Sequence, residues 1–199
     1  MGRKQDKVIF LDRDGVINRD PEHLKHQYVT KWKEFKFLPG VKRAIKRLTD
    51  AGYSIYIISN QAGIAKRYFT VKALRAITGK MKRELAKSGG TITDAFYCPH
   101  RTEDNCGCRK PKAGLFKKAL RRGKIDFKKA FFVGDNIRDV QAGRAIGCGT
   151  ILVLSGKVKS RESKGLAAKS RLSGTKPDFV RRDLSDAVEL VLRRDETTR

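Results

Sequence analysis

Asp12 and Asp14 stand two residues apart directly after the apolar run Val8-Ile9-Phe10-Leu11, and Gly15 lets the chain turn behind them. A short buried strand that ends in two carboxylates makes a poor core and a good cation site. Hard oxygen ligands suit Mg²⁺, which in turn attracts phosphate. A carboxylate can also attack phosphorus and carry it as an aspartyl-phosphate. Other apolar runs end in the same way. Residues 53–58 stop at Ser59-Asn60-Gln61, a hydroxyl and two amides that can donate to an oxyanion. Residues 130–133 stop at Gly134-Asp135-Asn136, with Asp139 one helical turn further on. Taken singly, Asp-Gly and Ser-Asn are also what an ordinary turn contains.

A different chemistry follows residues 93–97. Cys98-Pro99-His100 is followed after five residues by Cys106-Gly107-Cys108, so four soft or borderline ligands fall in one short loop. Three of the 4 cysteines and one of the 3 histidines are gathered there. That donor set matches a closed, structural Zn²⁺ site. Arg109 and Lys110 come next, and a loop fixed by metal would hold both cations rigidly toward the strand edge, where they would bind phosphate. Cys148 stands apart beside a predicted strand and reads as a small buried apolar residue.

These residues need elements that bring them together. Strands are predicted at 8–11, 53–58, 93–97, 130–133, 150–154 and, briefly, 179–180. Helices are predicted at 41–51, with Val41, Ala44, Ile45 and Leu48 on one face, at 71–87 capped by Thr70, at 113–122 behind Pro111, and at 184–192. Strands alternating with helices demand a parallel sheet covered on both faces, a Rossmann-like α/β fold whose ligands lie beyond the carboxyl ends of the strands. The stretch between Asp14 and Ser59 is already used by a loop, a helix and a strand, which leaves no room for a large cap domain. The polar part of it, residues 19–30, carries Asp20, Pro21, Glu22, His23 and His26 beside the aspartates and could close over a substrate. The 199 residues fit a single domain. Residues 155–176 form a basic excursion with seven Lys or Arg against the single acid Glu162, and 193–199 read as a frayed tail.

The formal charge of +25 admits nucleic acid or an anionic metabolite as partner. The cations are spread along the chain, aromatics make up only 8%, and neither an RNP-type motif nor a two-Cys, two-His finger is present, so a nucleic-acid module is not favoured. No run approaches a membrane span and residues 1–7 lack an apolar signal core. The expectation is a soluble, cytoplasmic monomer acting on a small phosphorylated metabolite.

The division of labour follows from charge. Asp12 and Asp135, with the Asp14 carbonyl, would hold Mg²⁺ and so offset the repulsion between a carboxylate nucleophile and a phosphate. Asp12 would attack phosphorus. Asp14, its pKa raised by neighbouring carboxylates, would protonate the leaving oxygen and later activate water. Ser59 and Lys110 would neutralise the phosphoryl oxygens.

Asp12-x-Asp14-Gly-Val-Ile-Asn, Ser59-Asn-Gln-Ala-Gly, Cys98-Pro-His100…Cys106-Gly-Cys108-Arg-Lys110-Pro and Gly-Asp135-Asn-Ile-Arg-Asp139 together resemble the haloacid dehalogenase superfamily. Within it they are similar to the zinc-loop branch of D-glycero-D-manno-heptose 1,7-bisphosphate phosphatases and histidinol-phosphate phosphatases. The resemblance implies Asp12 as nucleophile, Asp14 as proton donor, and Ser59 and Lys110 as phosphoryl stabilisers. It implies Mg²⁺ and Zn²⁺ as cofactors, and substrate contacts at Arg13, Asp20, Pro21, Glu22, His23, Asn60, Gln61 and Arg109. Asn136 stands at a further contact position, where the family often has Lys or Arg. A heptose bisphosphate is the leading substrate, with histidinol phosphate as rival. A nucleic-acid 3′-end phosphatase and a non-catalytic phosphate-binding protein are the readings from other classes.

Overall fold

The computed structural model describes residues 7–121, 125–156 and 175–197. Six strands form one fully parallel sheet: β1 (Lys7–Leu11), β2 (Tyr53–Asn60), β3 (Asp94–Cys98), β4 (Phe131–Gly134), β5 (Gly149–Val153) and β6 (Phe179–Arg181). Their order across the sheet is β3-β2-β1-β4-β5-β6. The chain thus winds outward from β1 through β2 to β3, returns to the other side of β1 as β4, and winds outward again. The reversal between β1 and β4 is the topological switch point, where open parallel sheets bind ligands.

Among the described residues five α-helices cover the sheet: α1 (Val41–Asp50), α2 (Val71–Ala86), α3 (Gly114–Leu120), α4 (Ile137–Ala145) and α5 (Leu184–Thr197). Alternate strand residues feed two cores, as a sheet buried on both faces requires. Ile9, Leu11, Ile55 and Ile57 pack against Ile45 and Leu48 of α1, Ile77 and Met81 of α2, and Val188 of α5. Val8, Phe10, Tyr56 and Ile58 pack against Leu115 and Phe116 of α3 and Ala142 of α4. The start of α1 is set by Gly40, whose φ of +75° is left-handed and whose missing side chain makes room for Ser185 of α5.

The predicted elements are present to within a residue or two, with two differences. α3 starts at Gly114, so Pro111 lies in the turn ahead of it rather than at its first position. α5 continues to Thr197 and takes in residues expected to fray. Arg193 pairs with Glu189 one turn back, and Asp195 pairs with Lys7, which ties the carboxyl end to β1. Of the basic excursion, residues 157–174 lie outside the described residues. Ser155, at its start, donates its hydroxyl to the Gly15 carbonyl at 2.8 Å. Among the described residues no helix is long and apolar enough to cross a membrane.

Candidate active site

The sheet register builds the site. Leu11 pairs with Ile57 on one side and Val133 on the other, so β1, β2 and β4 run out side by side. Asp12 continues the pairing by donating its N–H to the Val133 carbonyl at 2.9 Å. Asp12 and Asp135 are thereby brought to the two sides of the switch point, and β2 delivers Ser59 and Asn60 beside them. The cleft at this edge has a volume of about 360 Å³ and is lined by Asp12, Asp14, Ser59, Asn60, Arg109, Lys110, Asp135 and Asp139.

Lys110 is the electrostatic centre. It is almost fully buried, and its Nζ lies 3.0 Å from Asp12 Oδ2 and 2.7 Å from Asp139 Oδ1, with a third hydrogen bond of 2.8 Å to the Ile58 carbonyl. Burial works to lower the lysine pKa, but Asp12 and Asp139 outweigh it and hold the ammonium above its usual range. Asp139 is pushed up to about 6, by burial first and by repulsion from Asp12, against the attraction of Lys110. One oxygen each of Asp12, Asp135 and Asp139 lies within 4.8 Å of the other two. Mg²⁺ with ligands at about 2.1 Å holds them about 3 to 4.2 Å apart, so this carboxylate cluster fits such an ion. The slot that holds Asp135 is made by glycines: a Cβ on Gly15 or Gly156 would collide with its carboxylate, and one on Gly134 with that of Asp139.

Asp14 is set differently from expectation. Its carboxylate is not part of the cluster. It accepts from Arg13 through Nε at 3.1 Å and Nη2 at 2.9 Å, from Gln61 Nε2 at 2.7 Å and from Asn18 Nδ2 at 2.9 Å. Burial would raise this carboxyl, yet the Arg13 guanidinium and the Asn18 and Gln61 amides hold it below the usual carboxylate range. The expected upward shift is therefore wrong, because the nearest charge is a cation rather than another acid. Arg13 and Gln61, expected as substrate contacts, are both 0% exposed and donate to Asp14, and Gln61 also donates to Ser59 Oγ at 3.2 Å. His23 is exposed and absent from the cleft lining, with its ring against the Asp20 carbonyl. Asp20, Pro21, Glu22, Asn60, Arg109 and Asn136 do line the cleft. The Asn60 amide, however, is committed to the Lys110 main chain, and the Asn136 side chain caps α4 by accepting the Arg138 N–H at 3.1 Å.

Sequence reasoning missed part of the wall. Asp139 was visible as a residue one turn from Asp135 but not as the third carboxylate. Lys25, Tyr28, Lys66 and Tyr68 had no spacing signal, because they meet only where two loops touch: His26, already placed in the loop over the site, stacks on Tyr68 at 4.4 Å, and Tyr28 lies 6.0 Å from the same ring, while Arg138 joins the wall from α4.

Beside the cleft, Cys98, His100, Cys106 and Cys108 form one cluster. Their contacts are 3.6 Å for Cys98–Cys106, 3.3 Å for Cys98–Cys108, 3.5 Å for Cys106–Cys108, 3.7 Å for Cys98–His100 Nδ1 and 3.2 Å for His100 Nδ1–Cys108. A tetrahedron with metal–sulfur distances of about 2.3 Å has edges of about 3.8 Å, so the four donors fit zinc. Burial raises the Cys98 thiol to about 12, whereas N–H donation by Cys108 and Arg109 overcomes burial and lowers Cys106 to about 6. The cluster is joined to the catalytic edge through the final β2–β3 pair, Asn60 with Cys98, and the Gln61 N–H to Cys98 carbonyl bond of 2.7 Å.

Sheet order, switch-point carboxylates and a buried lysine define a hydrolase of the haloacid dehalogenase type, and residues 107–187 match the HAD-hydrolase-like family model. The chain is 40% identical over 158 residues to the D-glycero-beta-D-manno-heptose-1,7-bisphosphate 7-phosphatase of Neisseria meningitidis serogroup A, covering 79% of this chain and 82% of that one. It is 36% identical over 193 residues to the same-named protein of Haemophilus ducreyi, covering 93% and 98%. The crystal structure of D,D-heptose 1,7-bisphosphate phosphatase from B. bronchiseptica, complexed with magnesium and phosphate, superposes with a TM-score of 0.82 at 37% identity, covering 94% of this chain and 99% of that one. The chain belongs to this family of heptose bisphosphate phosphatases within the haloacid dehalogenase-like hydrolases.

Proposed function

We propose that the chain is a Mg²⁺-dependent phosphatase that removes the 7-phosphate of D-glycero-D-manno-heptose 1,7-bisphosphate through an aspartyl-phosphate on Asp12. The observation that carries the chemistry is the contact of Asp12 with Lys110 within a carboxylate cluster of metal-binding size. The substrate rests on the named relatives.

Asp12, Asp135 and Asp139 would hold the ion, and any share taken by Asp14 falls to its main-chain carbonyl. When bound, Mg²⁺ supplies positive charge that lets an anionic nucleophile approach a phosphate. The Arg13 N–H, 2.7 Å from Asp12 Oδ1, fixes the orientation of the attacking carboxylate. Lys110 and Ser59 face the same cleft and stabilise the phosphoryl oxygens as the bond to the leaving oxygen breaks. Asp14 rests as a carboxylate, ready to take a proton from the water that hydrolyses the acyl phosphate. The proton it gives the leaving oxygen is taken up when the substrate brings its own negative charge into the cleft.

Cys98, His100, Cys106 and Cys108 would hold a structural Zn²⁺ that supports Arg109 and Lys110. Four free thiols, three of them in a metal-shaped cluster, favour a reducing cytoplasm, and a cleft complete within one chain favours a monomer.

Phosphate release with Mg²⁺ should be fastest on the heptose bisphosphate, compared with histidinol phosphate and a 3′-phosphorylated oligonucleotide. Asp12→Asn should abolish turnover. A higher kcat/KM on either comparator would overturn the substrate, and retained turnover in the variant would overturn the covalent step.

A further inference from the structure

The Asp14 carboxylate is held by side-chain N–H groups of Arg13, Asn18 and Gln61, and 15% of the side chain stays open, toward the cleft that it lines. Of these donors only the Arg13 guanidinium carries charge, and its Nη2 reaches both oxygens, Oδ1 at 3.0 Å and Oδ2 at 2.9 Å. The direction in which Asp14 points therefore depends on how firmly Arg13 is held. Arg13 is itself fully buried and absent from the cleft lining. Its Nη2 also donates to Gln61 Oε1 at 3.1 Å, whereas Nη1 has no hydrogen-bond partner among the described residues. A buried cation with an idle N–H group calls for a compensating contact.

Tyr97 supplies that contact from outside the cleft. The central carbon of the guanidinium stands 5.9 Å from the Tyr97 ring centroid, within cation–π range. Tyr97 lies on β3, the edge strand, where it pairs with Ser59 of β2. Its hydroxyl is 2.9 Å from Thr78 Oγ1 of α2. The Thr78 hydroxyl donates its one hydrogen to the Leu74 carbonyl at 2.9 Å, so between the two side chains the tyrosine is the donor. The ring is thus fixed at its root by the sheet and at its tip by a helix. Tyr97 and Thr78 also border a groove shared with Ile64, Leu74 and Pro99, so the same ring touches that groove and the guanidinium.

We infer that Tyr97 is a positioning residue for proton transfer: braced by Thr78, it holds the Arg13 guanidinium, and Arg13 holds the Asp14 carboxylate toward the leaving oxygen. This rests on the reading of Asp14 as the acid and base of the phosphatase and extends it to a residue that does not line the cleft. Without the ring, Asp14 keeps its charged partner, but the pair is free to shift as a unit. A displacement of about 1 Å from the reacting geometry is enough to cost about a hundredfold in rate. The side chains involved bond to Asp14, Gln61 and Thr78, so the loss is expected in proton transfer rather than in binding of metal or phosphate.

The test uses leaving groups, because an alkoxide needs a proton as it departs and p-nitrophenolate does not. Single-turnover rates, with enzyme and Mg²⁺ in excess, are measured on p-nitrophenyl phosphate and on an alkyl ester, heptose 1,7-bisphosphate or, if it reacts faster, histidinol phosphate. The proteins compared are the unmodified enzyme, Tyr97→Leu, Tyr97→Phe, Asp14→Asn and the Asp14→Asn/Tyr97→Leu double variant. Tyr97→Leu should slow the alkyl ester about tenfold or more and the aryl ester less than about threefold. Tyr97→Phe keeps the ring and loses the brace, so its selective loss should be smaller. On top of Asp14→Asn, the leucine should add no further selective loss, as expected of residues acting through one another. Equal slowing of both esters by Tyr97→Leu, unchanged rates, or an undiminished selective loss in the double variant would overturn the role. If Tyr97→Leu does not fold, Tyr97→Phe decides: a selective loss supports the role and its absence overturns it. If Asp14→Asn is selective and the Tyr97 variants are not, the positioning role alone falls; if Asp14→Asn slows both esters alike, the acid reading fails and the positioning role with it.

Discussion

The side-chain amide of Asn60 is joined in both directions to the main chain of Lys110: Nδ2 donates to the Lys110 carbonyl at 3.1 Å, and Oδ1 accepts the Lys110 N–H at 3.0 Å. One residue at the end of β2 thus holds the backbone of a lysine fifty positions later, directly after the cysteine–histidine loop. The reach of the buried ammonium toward Asp12 depends on this clamp.

Asn60→Ala removes both bonds and strands two polar main-chain groups in a part-buried place. A loss of about 1–3 kcal/mol of stability is expected, with kcat falling about tenfold to a hundredfold as Lys110 loses its position. Denaturant unfolding and steady-state kinetics read the two effects separately. Kinetics indistinguishable from the unmodified enzyme would show that the clamp does not position the ammonium.

Lys110→Met leaves Asp12 and Asp139 facing each other without their shared cation. Removing one partner of a buried ionic group typically costs about 3–5 kcal/mol. Saturating Mg²⁺ should return part of the stability but not the activity, because the ion replaces the charge and not the contact with the phosphoryl oxygens. Thermal melts with and without Mg²⁺ check this.

Gly156→Ala places a methyl group against the Asp135 carboxylate without a left-handed φ to complicate the result. The Mg²⁺ concentration for half-maximal activity should rise about tenfold or more, while saturating Mg²⁺ recovers most of kcat. An unchanged metal requirement would mean that the slot does not align Asp135.

Removal of zinc by a chelator, or Cys106→Ser, should lower kcat about tenfold or more and loosen residues 98–112 in hydrogen exchange while β4, β5 and α4 stay protected. Elemental analysis should find about one zinc per chain. A metal-free protein with full activity would exclude the supporting role.

Glu34 gives the loop over the cleft an acid-sensitive anchor. Burial works to raise its carboxyl, but the N–H and hydroxyl of Thr30, together with Lys31, hold it below the ordinary range. A carboxyl lowered on folding stabilises the protein above its unfolded value and loses that contribution as pH falls through the folded one. Glu34→Gln should therefore cost about 0.5–1 kcal/mol at neutral pH, solvent screening included, and close to nothing at about pH 3. Unfolding curves at both pH values decide it.

Most of the fold was legible because each strand is a short apolar run closed by polar residues, and each helix carries its buried stripe. Asp12, Asp135 and the cysteine–histidine set could be read from local spacing alone. The environment of Asp14 could not. That its neighbour Arg13 turns inward and pairs with it, instead of reaching into the cleft, depends on Gln61 and Tyr97 arriving from β2 and β3 to cover the guanidinium. The aromatic contact of His26 with Tyr68 was hidden for a similar reason, since it joins loops with no shared periodicity. The length of α5 was misjudged because its last turns are polar and held by Lys7, a residue at the other end of the chain.

The two carboxylates that flank the switch point lie at the ends of neighbouring strands but are far apart in the synthesis order, with β2 and β3 made in between. A nascent chain that has emerged through the cysteine–histidine loop already carries Asp12 and Lys110, yet the carboxylates that cluster with Asp12 arrive only with the end of β4 and the first turn of α4. A chain truncated ahead of β4 is therefore expected to release no phosphate even where β1, β2 and the cysteine–histidine loop are intact.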